Sequence, residues 1–111
     1  MSIDIAFAQQ AEESRVKVLD QLRVLLASAE KQDLDRDDFH RLFVTAVHLL
    51  ELDQDTTAGI VKASRPTVSR WMSGSAAPAR VGRASVFREL RKVAADKLKQ
   101  HGSALAELVC A

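Results

Sequence analysis

Apolar residues recur at helical spacing along the whole chain, and little in it can break a helix or turn a strand. Residues 3–31 contain neither glycine nor proline and are rich in Ala, Leu, Gln, Glu and Arg, which favour helix. Within that segment Ala11, Val18, Leu22, Leu25 and Ala29 follow a heptad-like spacing that Arg15 interrupts, and Leu19 and Leu26 widen the stripe. Four glycines, two prolines and no tyrosine are poor material for a many-stranded sheet. The expected fold class is all-α.

Capping residues divide the rest of the chain. Asp35 or Asp37 begins a second helix with Phe39, Leu42, Phe43, Ala46, Leu49 and Leu50 on one face. Asp53 caps a short helix over about residues 54–62. Ser64 caps another, with Pro66 in its first turn, where a missing N–H is harmless. Gly74 stands where that helix should stop. A loop is expected over 75–82 and a longer helix over about 83–100. Gly102 should end that helix, and Ser103 should cap a last turn or two carrying Leu105, Leu108 and Val109.

At 111 residues with 47% apolar content, the chain can bury a core without metal or disulfides. The lone Cys110 rules out an internal disulfide, in keeping with a reducing cytoplasm. No apolar run reaches the roughly 20 residues of a bilayer span, and no secretory leader pattern opens the sequence, so no membrane association is expected.

The net charge of +1 conceals a strong polarity. Residues 1–60 hold six Lys/Arg against twelve Asp/Glu, whereas residues 61–111 hold ten against three. Between Lys62 and Lys92 there are eight basic residues, six of them arginine, and one acid, Glu89. Arginine suits phosphate and guanine because its planar fork donates two parallel hydrogen bonds. Two readings fit: a surface for nucleic acid, or a basic face that pairs with the acidic half.

The stretch LDQDTTAGIVKASRPTVSRWMSG, Leu52 to Gly74, resembles the lambda-repressor-like (Cro/C1, or Xre-type) family of helix-turn-helix DNA-binding domains. The resemblance is most specific at Ser64-Arg65-Pro66-Thr67-Val68-Ser69-Arg70-Trp71 and the following Gly74, and Ala58 falls where the family keeps a small residue. Lys62 departs from it, standing where the family often has glycine. The resemblance implies a five-helix domain, here with an extra long N-terminal helix. The organisation expected is residues 1–34 as an element for dimerisation or partner binding, then 35–111 as the DNA-binding domain with its C-terminal helix.

In such a domain the second short helix enters the major groove. Arg65, Pro66, Ser69 and Arg70 fall on its outward face and are the candidate base contacts, while Val68 and Trp71 face inward. Either arginine matches guanine O6 and N7, and the Pro66 ring matches a thymine methyl. Candidate phosphate contacts are Gln54, Thr67, Ser73, Arg80 and Arg83. Gln54 and Ser73 are assigned through the resemblance, and Gln54 and Thr67 each have a purely structural alternative.

No catalytic or metal site is expected, and no cofactor. His40, His48 and His101 lack zinc-site spacing and read as helix-surface residues. The acids Asp33, Asp35, Asp37 and Asp38 lack the central glycine and distal glutamate of a calcium loop. The function expected is a cytoplasmic, nucleoid-associated transcriptional regulator, a dimeric repressor on double-stranded DNA. Its rival is a helical protein-interaction module (antiactivator, adaptor or antitoxin) that binds a protein partner through the acidic N-terminal helix.

Overall fold

The computed structural model describes the backbone of residues 2–110 and the side chains of residues 4–110. The described residues are all-helical: α1 (Ser2–Glu30), α2 (Arg36–Leu49), α3 (Gln54–Val61), α4 (Arg65–Ser73) and α5 (Arg80–Cys110). Local chemistry sets most of these boundaries. The Asp35, Asp53 and Ser64 side chains accept from the backbone N–H of Asp38, Thr56 and Thr67, closing three N-termini. Helix α2 ends with Glu51 in the left-handed region (φ 56°), and the Leu52 N–H returns to the Val47 carbonyl.

Helices α1 and α5 are antiparallel, as their cross-links show. Glu12 meets His101 at 2.6 Å near one end, and Glu30 takes the Arg91 guanidinium near the other. The pair sets the long dimension of a molecule measuring 51 × 26 × 19 Å. The three shorter helices pack at one end of it. Leu19, Leu22, Leu26 and Ala29 of α1 share one buried cluster with Phe39 and Phe43 of α2, Val68 and Trp71 of α4, and Phe87 and Leu90 of α5.

Three expectations need correction. The last helix neither starts at residue 83 nor stops at Gly102: it runs unbroken from Arg80 to Cys110, and Ser103 caps nothing. Gly102 has no left-handed φ, and α1 packing alongside overrides its weak helix preference. Consequently the long N-terminal helix is one of five helices, rather than an addition to five. The apolar stripe of α1 is also rotated. Leu19, Leu22, Leu26 and Ala29 are buried, whereas Ala11 is exposed and Leu25 remains 50% exposed.

Third, two histidines are not plain surface residues. His40 Nε2 donates to the Met72 carbonyl at 3.0 Å, and His101 joins Glu12. Arg15, which breaks the α1 pattern in sequence, donates to the Leu49 carbonyl at 2.7 Å and so caps the end of α2.

One stability prediction arises here. A Cβ added at Gly102 meets nothing within 4 Å, and the residue sits inside a helix. Gly102→Ala is expected to stabilise the fold by about 0.5–1 kcal/mol, through lower unfolded-state entropy. Urea unfolding measures this, and a loss of stability would argue that α5 breaks at that residue.

Candidate nucleic-acid interface

Helices α3 and α4 are joined by the turn Lys62-Ala63-Ser64. Lys62 adopts φ 59°, ψ 45°, the left-handed conformation that glycine takes most easily. The Ala63 N–H then returns to the Ala58 carbonyl at 3.0 Å, which closes the end of α3. Lysine therefore reaches the turn geometry without glycine. Thr57, fully buried between the helices, satisfies its hydroxyl on the Asp53 carbonyl at 2.7 Å.

Helix α4 has two distinct faces. Val68 and Trp71 are buried, and the Trp71 ring stands edge-on to Phe39 and Phe43 at centroid distances of 6.0 and 5.7 Å. On the opposite side Arg65, Pro66, Ser69 and Arg70 are all exposed, and helical geometry puts them on one arc with Ser73. The C-terminal end is fixed from two directions. Gly74 takes φ 82°, and a Cβ there would come within 3.2 Å of the His40 ring. The His40 bond to Met72 ties this end of α4 to α2.

The charges around α4 fall into two groups. Arg70 has no ion pair among the described residues, and Arg65 makes only a loose, exposed one, Nε to Asp55 Oδ1 at 3.5 Å. Further along, the basic stretch is paired internally. Arg80 meets Asp33 at 3.2 Å, Arg88 and Arg91 both face Glu30, and Lys92 meets Glu89. Glu30 accepts from Arg91 and holds that guanidinium pKa above its ordinary value.

The candidate phosphate contacts are scattered in kind. Gln54 is the first residue of α3 and half-buried. Its neighbour Asp55 puts a carboxylate at that terminus. Asp53 already occupies the Thr56 N–H, a bond that draws the Asp53 pKa below the usual carboxylate range. The Thr67 hydroxyl lies 2.8 Å from the Ser64 hydroxyl. Ser73 is exposed, and its hydroxyl donates to the Arg70 carbonyl at 3.0 Å.

Arg83 stands apart from these. Its Nε and Nη1 donate to the carbonyls of Pro78 (3.0 Å) and Leu34 (2.9 Å), tying the loop before α5 to the loop before α2. Two of its five N–H donors are thereby engaged, so it braces the segment that follows α4 and keeps donors for a phosphate. Arg36, which the sequence pattern did not single out, does similar work through the Ser75 carbonyl at 2.6 Å. Neither link has a sequence signal, because each arginine binds a backbone carbonyl 39 or more positions away.

Among the described residues no group of three or more His, Cys, Asp or Glu is arranged to hold a metal ion, and Cys110 is exposed. No described helix is long and apolar enough to cross a membrane. Compared with protein-family models, with curated proteins and with solved structures, the chain matches none.

Proposed function

We propose that the protein is a sequence-specific double-stranded DNA-binding regulator of transcription, a dimeric repressor acting in the cytoplasm on the nucleoid rather than an enzyme. One observation carries the reading. Arg65, Pro66, Ser69 and Arg70 share the exposed arc of a nine-residue helix whose other face is anchored by Val68 and Trp71. This is the division of labour that a helix inserted in the major groove requires. Read with α3 and the left-handed turn at Lys62, the pair forms a helix-turn-helix, in keeping with the resemblance to lambda-repressor-like domains.

Roles follow from chemistry. Arg70, which pairs with no carboxylate among the described residues, is the principal base-reading arginine, matched to guanine O6 and N7. With Arg65 Nε turned toward Asp55, the terminal fork of Arg65 remains for a second guanine. Pro66 offers apolar contact and Ser69 a hydroxyl. Thr67, Ser73 and the first turn of α3 with Gln54 flank this arc as backbone contacts, and Arg80, whose Nη1 makes an exposed pair with Asp33, keeps its other donors for phosphate.

The competing reading, a protein-interaction module, draws on the exposed Phe7 and Leu25 of α1. Fluorescence anisotropy with duplex DNA across a salt series separates the two. A DNA-binding protein shows log affinity falling by about 0.9 per decade of salt for each neutralised phosphate, so a slope steeper than about −2 is expected. A flat response, or no binding at low salt, would overturn the proposal.

A further inference from the structure

Helix α1 carries eight charged residues: Asp4, Glu12, Glu13, Arg15, Lys17, Asp20, Arg23 and Glu30. Placed on a helix of 3.6 residues per turn, all eight avoid roughly one third of the circumference. That charge-free face runs from Phe7 through Ala11, Val18 and Leu25 to Ala29, with Gln10, Ser14, Gln21 and Ser28 along its edge. Only Ala29 on it is buried; Val18 is half-buried, Phe7 is 73% exposed and Leu25 is 50% exposed. Solvated helix faces normally carry charge, whereas the centres of protein interfaces are depleted of it.

The same face borders a groove. Leu25 and Ala29 of α1, with Leu34 and with Leu42 and Thr45 of α2, line an open, mainly apolar cavity of about 300 Å³, with Gln32, Asp38 and Arg41 completing its wall. None of the described residues fills it. The order of large and small residues on the face is self-complementary. Phe7 and Ala29 are equidistant from Val18, and so are Ala11 and Leu25. If two copies of α1 cross antiparallel about a two-fold axis at Val18, Phe7 of one lies opposite the partner's Ala29. There it meets the cavity, while Leu25 lies opposite the partner's Ala11.

We propose that this face of α1, with the α1–α2 groove beside it, is a homodimer interface whose occupant is a second copy of the chain. A two-fold contact must be self-complementary, and this one places a large side chain on a small one at each step away from the central Val18 pair. From Phe7 to Ala29 the helix spans about 33 Å. Pairing over that length, with the α2 wall included, buries on the order of 1,000 Å² in total, the size at which specific association begins. The interface stands on the geometry of α1 and α2 and does not depend on α4 meeting DNA.

Sedimentation equilibrium of the full chain tests the proposal. The wild type is expected at twice the 12.2 kDa chain mass. Val18→Glu is expected to raise the dimer dissociation constant at least about 100-fold, because it brings two like-charged carboxylates together at the two-fold axis. Leu25→Glu is expected to weaken the dimer less, since Arg41 lines the same cavity. Val24→Glu, an exposed position on the charged side of α1, should leave the dimer intact. Circular dichroism verifies that all three variants remain helical, as their full or partial exposure in the monomer implies.

Register is read by cross-linking in a Cys110→Ser background. Val18→Cys should form an interchain disulfide, and Val24→Cys, on the charged side of α1, should not. A wild type that stays monomeric at high concentration, a dimer untouched by Val18→Glu, or cross-linking at Val24→Cys but not Val18→Cys would each overturn it. A monomer that still binds duplex DNA would overturn this interface and the dimeric part of the proposed function, and would leave the DNA contact of α4 standing.

Discussion

Phe39→Ala is expected to cost about 3–5 kcal/mol of unfolding free energy, a large share of the roughly 5–15 kcal/mol that holds a domain of this size. The ring is fully buried. It stacks on Phe43 at 5.4 Å, meets Phe87 of α5 at 5.3 Å and stands edge-on to Trp71 of α4 at 6.0 Å. Removing it leaves a cavity where α2, α4 and α5 converge, and three rings lose a partner at once. The loss also reaches the exposed arc, because Trp71 is what seats α4. Urea unfolding at neutral pH measures the effect. A cost below about 1.5 kcal/mol would mean that the site collapses easily and that α4 is held chiefly by its ends.

Much of that arrangement is legible in the sequence, because the signals are local. Asp53, Ser64, Pro66 and Gly74 act within one turn of themselves, so each marks its helix boundary without knowledge of the fold. The inward positions Val68 and Trp71 follow from spacing alone, and with them the outward set on α4. The continuity of α5 is not legible, because Gly102 gives the same local signal whether it stops a helix or lies within one. Here the neighbour decides: α1 runs beside it.

For the same reason the true core face of α1 is hidden. Ala11, Val18 and Leu25 repeat as regularly as Leu19 and Leu26, and only the position of α5 selects between them. His40, Arg15, Arg36 and Arg83 are hidden differently. Their partners are backbone carbonyls remote in sequence, and a carbonyl has no residue identity to recognise. The charge polarity of the two halves is also half resolved by folding. Arg80, Arg88 and Arg91 pair with acids of the N-terminal half, whereas Arg70 does not.

That division of the arginines yields the second large effect. Arg70→Ala is expected to weaken binding to a preferred duplex by about 1–3 kcal/mol, roughly 5- to 150-fold, while non-specific binding changes little. The exposed side chain has no hydrogen-bond or ion-pair partner among the described residues, so stability should stay within about 0.5 kcal/mol of wild type. Arg80→Ala is the comparison. It should weaken specific and non-specific duplexes alike and make the salt slope shallower by about 0.9. Equal losses of specificity in the two variants, measured by anisotropy on both duplexes, would remove Arg70 from the base-reading role. Arg83→Ala combines two effects: it removes a proposed phosphate contact and releases the Leu34 and Pro78 carbonyls, so it should lower stability as well.

The most direct measurement of the central claim is selection of fragmented genomic duplex by the full protein at about 0.15 M salt. The recovered fragments are sequenced for the wild type and for an Arg65→Ala/Arg70→Ala variant side by side. The account predicts a small set of sharply enriched sites with two-fold-related half-sites, absent from the variant's recovery. Uniform recovery by both proteins, or none by either, would contradict it.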